Sequence, residues 1–286
     1  MPQLPKLLNS ELELDFKFEM VGRRNISEKF SVTVNLAQQF LCFFSLFLLV
    51  CCNSEKAPDC IQNAGTLTRI EIETPGFSTI TVFEQVSLVL IQGDEQKVEI
   101  ESGEFLLQDI SARVEDNRLV LRNENGCNLF REYGLSTVYV TAPNITEVRS
   151  STGLQISSQG ILEYPELRLI SESFIEPDAA TTSGSFDLEI FGTQLSIVVN
   201  GISYFKLNGE VDELNVTIAA GDSRIEAEEL RADRVLLNHR GSNDILVNPQ
   251  QRISGVIRGY GDVISVNRPP EIEVDETFAG RLIFRD

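Results

Sequence analysis

The sequence predicts an all-β protein that folds as a β-solenoid with coils of about 20 residues. Glycines recur at Gly201, Gly221, Gly241 and Gly261, and Gly280 follows after 19 residues. Short aliphatic strands stand in nearly the same columns between these glycines, and no window after the N-terminal leader has helical periodicity. Such a unit cannot bury its own apolar face, but copies stacked about 4.8 Å apart share one core. A β-sandwich with evenly spaced hairpins is the alternative fold.

The first 52 residues predict an export signal that follows a short extension. The apolar run Phe40–Val50 is too short to cross a hydrocarbon core, which needs about 20 helical residues. Its length suits the apolar part of a signal peptide, and Arg23 and Arg24 supply positive charge ahead of it. The acidic segment before Met20 opposes the charge bias of export signals, so we expect translation to start at Met20.

The end of the apolar run resembles the lipobox of bacterial lipoproteins, in which a cysteine is lipidated and becomes the new N-terminus. Leu48–Cys51 and Leu49–Cys52 both fit, although Val50 or Cys51 stands where a small residue is usual. The lipidated residue is therefore Cys51 or Cys52, and an ordinary secretory signal is the alternative. Because two or more acyl chains give stable membrane attachment, we expect an exported envelope protein, most simply an outer-membrane lipoprotein held by lipid alone.

A polar tether and one domain follow the signal. Residues 53–66 lack apolar periodicity and include a proline, which is typical of a linker. The domain spans residues 67–286. After the signal the chain has Cys60 and Cys127. In an exported protein this pair could form a disulfide worth roughly 2–4 kcal/mol, or the two residues could remain unpaired buried thiols.

Six segments in the first half of the domain predict strands of four to six residues. Turn residues at Gly93–Asp94, Asp116–Asn117 and Asn123–Gly126 separate some of them. The segment Ser171–Thr182 interrupts the glycine repeat and predicts an inserted loop. The six strand segments alternate apolar with polar residues or are rich in β-branched residues: Ile70–Glu73, Thr79–Val82, Val86–Ile91, Val98–Glu101, Leu119–Arg122 and Val138–Thr141.

In the second half of the domain, each repeat glycine is followed by a strand, a turn and a second strand. We expect the repeat glycines to lie where the chain reverses sharply with positive φ. If the units are stacked coils, one set of apolar side chains points inward in columns: Phe205, Leu207, Ile225, Ile245 and Val247.

The composition argues against several classes of function. Acidic residues number 43 against 24 basic ones, and a net charge of −19 repels nucleic acid. With no Trp and one His, the chain has little material for a sugar-stacking cleft or a multi-histidine metal site. We therefore expect no cofactor, no metal and no catalytic residue.

His239 and a group of four oxygen-bearing side chains are possible functional residues. His239 lies in a predicted turn, where an exposed or locally hydrogen-bonded histidine is usual and no nucleophile accompanies it. Asp222, Asn243, Asp244 and Asp262 could supply oxygen ligands to calcium, but the calcium-solenoid motif is missing. Solvated turns are the preferred interpretation of these four residues.

The order of the elements resembles the head GIN domain of putative autotransporter adhesins. The resemblance rests on the segments Thr79–Gly93, Leu106–Ile110, Asp116–Leu121 and Gly259–Ile272 together with the glycine repeat, and it spans Leu67–Phe284. It implies a right-handed parallel β-helix, a lipoprotein or secreted context common in Bacteroidetes-type bacteria, and a role in cell adhesion without established chemistry.

Three functions are consistent with these observations. The first is a non-enzymatic, envelope-anchored protein that binds a surface polymer or a protein through flat faces. The second is a structural or signalling component of the envelope that binds another protein. The third is a polysaccharide-active enzyme on a β-helix. The strong negative charge favours basic or neutral binding partners for the first two.

Overall fold

The computed structural model describes residues 62–126, 133–175, 178–179 and 181–285. These residues form one 17-stranded sheet and one turn of 3-10 helix, Leu107–Asp109, which confirms the all-β prediction. None of their helical segments is long and apolar enough to span a bilayer. The strands are β1 (Leu67–Ile72), β2 (Thr79–Val82), β3 (Ser87–Gln92), β4 (Lys97–Gly103), β5 (Ile110–Glu115), β6 (Arg118–Asn123), β7 (Thr137–Ala142), β8 (Glu147–Ser150), β9 (Gln155–Leu162), β10 (Glu166–Ser171), β11 (Ser185–Val199), β12 (Tyr204–Ile218), β13 (Arg224–His239), β14 (Ile245–Ile257), β15 (Val263–Ser265), β16 (Glu271–Glu276) and β17 (Leu282–Phe284).

The sheet consists of two ladders that share β11 to β14. Ladder A contains, in pairing order, β1, β4, β7, β3, β9, the first halves of β11 to β14, β15 and β17. Ladder B contains β5, β6, β2, β8, β10, the second halves of β11 to β14, and β16. Apolar side chains of both ladders belong to one core.

The glycine repeat stacks its units in parallel register. Most residues of β11 to β13 pair with a residue about 20 positions further along the chain, and register shifts interrupt the pairing within β12 and β13. The two strands predicted for each unit are one continuous strand in β12, β13 and β14, and the chain bends within β12 at Gly209, where φ is +114°. This parallel pairing excludes a sandwich of two antiparallel sheets.

The five residues predicted to point inward are all fully buried. Phe186 and Phe205 stack with their ring centroids 4.6 Å apart. Because paired residues lie directly above each other, one inward column runs through ladder A: Ile100, Val138, Leu88, Ile156, Phe186, Phe205, Ile225, Ile245, Val263 and Leu282.

The sheet is mixed, so the prediction of a parallel β-helix throughout the domain is not confirmed. The pairs β1–β4, β4–β7 and β5–β6 are antiparallel. The predicted turn at Asp116–Asn117 joins β5 and β6, and both residues have positive φ, as a two-residue type I′ hairpin requires. The short turn therefore fixes the antiparallel direction of the β5–β6 pair.

The repeat glycines lie at one corner of each unit, but the predicted reason for them is mostly wrong. Of the five, Gly221 alone has positive φ, at +89°. The glycines are needed because successive units approach closely at this corner. A Cβ atom at a repeat glycine would overlap an atom of the preceding unit. At Gly261, for example, it would overlap the carbonyl of Asn243 and lie 2.8 Å from Nε2 of His239.

Several predicted features lie outside the described residues: Met20, Cys51, Cys52, Cys60 and Cys127. Of the tether, residues 62–66 are described. There Gln62 is buried, and its Nε2 donates to the carbonyl of Phe105 at 2.9 Å.

Candidate binding pocket on the outer face of ladder B

An open pocket of about 310 Å³ lies on the outer face of ladder B near its antiparallel end. It is lined by Thr81, Phe83, Glu115, Asp116, Arg118, Val120, Arg122 and Asp178. We call this set the outer-face pocket. Strand alternation explains how it forms: Leu119 and Leu121 are buried in the core, so Arg118, Val120 and Arg122 of β6 project from the opposite face.

Arg118 is held in place by two strands of ladder B. Its Nη1 donates to Oγ1 of Thr81 at 3.0 Å, and its Nη2 donates to Oε1 of Glu147 at 2.8 Å. These bonds use its two terminal nitrogens to connect β6 with β2 and β8. Arg118 therefore forms a fixed wall of the pocket, and its charge is largely neutralised by Glu147.

Arg122 presents the less neutralised positive charge. Its guanidinium carbon lies 3.4 Å from the ring centroid of Phe83, a cation–π contact that orients the group without neutralising it. Arg122 forms no ion pair with any residue that the structure describes, and neither do Asp116 and Asp178 on the rim. The pocket thus offers both hydrogen-bond donors and acceptors to a ligand.

A buried ion pair holds the segment that follows β10 beside the pocket. Arg149 points outward from β8 yet is 7% exposed. Its Nη1 donates to Oε1 of Glu172 at 2.8 Å and to the backbone carbonyl of Glu172 at 3.1 Å. The other carboxylate oxygen accepts the backbone N–H groups of Phe174, at 2.7 Å, and Ile175, at 3.2 Å.

The pKa of Glu172 is lowered, so the interactions of its carboxylate outweigh the effect of its burial. Burial alone would raise the pKa, but the hydrogen bonds from Arg149 and from the two backbone N–H groups hold it below the usual range. The fixed carboxylate in turn positions Phe174 and Ile175, which are 76% and 74% exposed. Sequence analysis predicted this inserted loop but not its anchor.

His239 has the local hydrogen bond that was one of its two predicted states, but it is neither exposed nor in a turn. It is the last residue of β13, pairs with Ile218 and Ile257, and is fully buried. Burial lowers its pKa against opposing contributions from backbone hydrogen bonds and nearby carboxylates. Its Nδ1 accepts the N–H of Gly241 at 3.4 Å, and its Nε2 has no hydrogen-bond partner among the described residues. A buried imidazole cannot reach a substrate in solvent.

The four possible calcium ligands connect neighbouring units. Asp222 accepts a hydrogen bond from Oγ of Ser242 at 2.8 Å, Asp244 accepts the N–H of Asp262 at 2.9 Å, and Asp262 accepts the N–H of Arg281 at 2.8 Å. Asn243 donates to the carbonyl of Asp222 at 3.4 Å. Within the described part of the chain, no three His, Cys, Asp or Glu side chains are grouped to hold a metal.

Sequence reasoning missed the outer-face pocket, although one signal was present. The pattern of β6, Arg118-Leu-Val-Leu-Arg122, places two arginines on one polar face in a strongly acidic chain. Asp178 could not have been found in this way, because its position beside β6 depends on the path of the inserted loop.

Comparison with known proteins gives one family and several similar folds. The family model described as "Putative auto-transporter adhesin, head GIN domain" matches residues 76–269. No curated protein matches the chain.

Three solved structures show the fold. A "putative adhesin" from Bacteroides fragilis is 18% identical with a TM-score of 0.66, covering 77% of this chain and 97% of that one. A "putative lipid binding protein" from Parabacteroides distasonis is 16% identical with a TM-score of 0.55, covering 78% and 98%. A "putative adhesin" from Parabacteroides merdae is 17% identical with a TM-score of 0.52, covering 78% and 97%.

Proposed function

Because the chain belongs to the head GIN domain family, we propose that it is a non-enzymatic adhesin of the cell envelope and that the outer-face pocket is its recognition site. The pocket carries the proposal because it combines unpaired charges of both signs with a fixed sheet surface. At about 310 Å³ it is at the small end of ligand sites, which suits one sugar unit or one polar side chain of a larger polymer.

The loop beside the pocket supports contact with a larger partner. Exposed aromatic and aliphatic side chains on an anchored loop lose little conformational freedom on binding, which favours affinity. Phe174 and Ile175 meet this condition because Glu172 fixes the backbone beneath them. We infer that the pocket sets the specificity and that these two side chains add apolar contact.

We also propose that the protein has a lipid anchor and that its parallel coils are right-handed. An anchor on Cys51 or Cys52 is supported by the lipobox-like sequence and would display the domain at an envelope surface. The coils between β11 and β16 are inferred to wind as a right-handed parallel β-helix, since crossovers between parallel strands are right-handed in almost all known cases.

The recognition site is tested by charge reversal at Arg122. Cells that display Arg122→Glu should adhere about tenfold less to a binding surface than wild-type cells, because the one remaining arginine of the pocket, Arg118, is already paired with Glu147. Arg231→Glu is the matched control, since Arg231 is 60% exposed on β13, outside the pocket lining. Equal adhesion of Arg122→Glu and wild type, at equal display and thermal stability, would show that the pocket is not the recognition site.

The anchor is tested separately. The double variant Cys51→Ala with Cys52→Ala should move the protein into the soluble fraction, keep its circular dichroism spectrum, and reduce adhesion of the cells. If the double variant still pellets with membranes, the anchor is assigned to the wrong residues. If deletion of residues 67–286 leaves adhesion unchanged, the adhesin proposal fails as well.

A further inference from the structure

The last strands of the two ladders each have one neighbour among the described residues. In ladder B, β16 pairs with β14, and in ladder A, β17 pairs with β15. The inward residue Ile272 is 40% exposed, and Ile283 on the outer side of β17 is 42% exposed. At the other end, antiparallel strands continue the ladders. Stacked-repeat proteins need a polar cap on terminal units, so this end requires an explanation.

The two free strands have complementary sequences. In β16, Glu271, Glu273 and Asp275 point outward and alternate with inward Ile272 and Val274, because their partners in β14 do the same. In β17, Leu282 and Phe284 continue inward columns, so Ile283 and the flanking Arg281 and Arg285 lie on the outer side. One free edge is therefore acidic and the other basic. Apolar side chains face the core in both strands except at Glu276, which continues the column of Ile257 and accepts the N–H of Leu282 at 2.8 Å; strand pairing at β17 would displace this contact.

From this complementarity we infer that the exposed end binds a second copy of this chain, with β16 of each copy pairing antiparallel with β17 of the other. One register matches every position except Glu273, which lies opposite Ile283. It sets Glu271, Ile272, Glu273, Val274 and Asp275 opposite Arg285, Phe284, Ile283, Leu282 and Arg281 of the second copy. Apolar residues then face apolar residues across both cores, and two arginines face carboxylates. The interface is two-fold symmetric, so each contact occurs twice.

The alternative pairing of like edges is disfavoured for two reasons. Pairing β16 with the second copy's β16 would bring two rows of carboxylates together, and like charges opposite each other destabilise a sheet. The chain also passes from β15 to β16 to β17, so ladder A ends half a unit beyond ladder B. If like ladders met in a symmetric dimer, the gap between the two copies of ladder B would be wider than the gap between the two copies of ladder A. The difference would be a full strand spacing of about 4.8 Å. When ladder A of each copy meets ladder B of the other, the two gaps are equal.

The charges at this end are available to a second copy. Arg285 and Asp275 form no ion pair with a described residue. Arg252 contacts both Glu271 and Glu273, and those two carboxylates are each 63% exposed. Arg281 reaches Glu276 at 3.6 Å across an exposed surface, a contact worth little in water. Arg268 lies over the ring of Phe284 at 4.0 Å and would have to remain at the rim of the interface.

The test uses two charge-reversal variants, each of which should dimerise poorly alone but which should dimerise with each other. The purified full chain in nonionic detergent is followed by sedimentation velocity. Wild type should dimerise. Arg285→Glu and Glu271→Arg should each shift the dimer dissociation constant at least tenfold towards monomer, because each variant alone places two like pairs in the interface. An equimolar mixture of the two variants should restore the dimer, since each carboxylate then faces an arginine again.

Arg234→Glu is the control, because Arg234 is 52% exposed on β13 and outside the proposed interface; it should dimerise like wild type. A monomeric wild type, variants that dimerise as well as wild type, or a mixture that stays monomeric would each overturn the inference. If wild type is monomeric but a basic peptide strand binds at β16, the free edge serves another protein instead. The adhesion measurements on Arg122→Glu do not depend on any of these outcomes.

Discussion

At the residue scale, Arg149, Glu172 and His239 are charged or titratable side chains buried in the described part of the chain. Arg149 is stabilised by the carboxylate of Glu172, whereas His239 is kept neutral by burial. A charged group inside a protein is tolerated when a partner and hydrogen bonds replace its hydration. The same rule predicts that acid destabilises the fold at both positions, because protonation neutralises the Glu172 carboxylate that pairs with Arg149 and puts a charge on buried His239.

Removing one member of the buried pair should destabilise the domain strongly. We expect Arg149→Met to lower the free energy of unfolding by about 3–5 kcal/mol, because Glu172 would remain buried and unpaired. Urea denaturation at pH 7 measures this. Arg168→Met is the matched control: its exposed contact with Glu147 at 3.7 Å should be worth less than about 1 kcal/mol. Equal losses in the two variants would contradict the role of the buried pair.

His239 should make stability decrease in mild acid. Its pKa is lowered in the folded protein, while in the unfolded chain it titrates near about 6.5. Between these values the unfolded chain binds more protons, so stability falls as the pH drops below about 6.5. We expect the urea midpoint of wild type to fall more steeply between pH 7.5 and 5.5 than that of His239→Leu. Parallel pH profiles would show that His239 does not contribute.

At the element scale, the stacked units depend on inward columns and tight corners. The columns align because paired residues of successive units occupy the same height and the same side of the strand. The corners bring backbones into direct contact, so a side chain at a repeat glycine has no space. Both features are repeated in every unit, and a defect in one unit disturbs its two neighbours.

A charge in the inward column should abolish folding of the repeat. Ile225 is fully buried between Phe205 and Ile245, so Ile225→Asp would place an unpaired carboxylate in the core. We expect loss of the cooperative thermal transition measured by circular dichroism. Glu229 is exposed, so Glu229→Lys is the control and should change stability little. A folded Ile225→Asp variant would rule out the column.

A methyl group at a corner should also be costly. Gly261→Ala would overlap Asn243 and press on His239, and overpacking of this kind costs about 1–3 kcal/mol. In Gly153→Ala the new Cβ would lie 3.8 Å from the nearest atom, Oγ of Ser183, so this variant serves as the control. Thermal midpoints of both variants give the comparison. If Gly153→Ala is the more damaging of the two, the corner argument is wrong.

At the scale of the whole molecule, a net charge of −19 surrounds a core built from two ladders. Arg118 and Arg122 project from one outer face of that sheet, where they lie among Glu115, Asp116 and Asp178, so the pocket presents both signs of charge in an acidic protein. Long-range repulsion therefore determines which surfaces the protein can approach, and the pocket determines which ligand it retains.

The charge predicts a clear preference among surfaces. The purified protein should not bind vesicles of anionic lipids and should bind a positively charged polymer surface. Binding to that polymer should weaken severalfold as salt rises from about 0.05 to 0.5 M, since screening shortens the range of the attraction. A quartz-crystal microbalance measures both surfaces. Salt-independent binding to anionic vesicles would contradict this prediction.

Local sequence patterns were sufficient to predict the all-β class, the inward residues and the repeat, because stacking preserves the aliphatic spacing and the regular glycines. The sequence predicted strands at β2, β3, β6 and β7 to within a residue of their ends. It predicted the Asp116–Asn117 turn between β5 and β6, but it could not determine the antiparallel pairs of β4, because their partners β1 and β7 are far from β4 along the chain. For the same reason the burial of His239, the Arg149–Glu172 pair and the outer-face pocket were decided by the tertiary structure, which alone brings Asp178 beside β6 and closes each unit on the next.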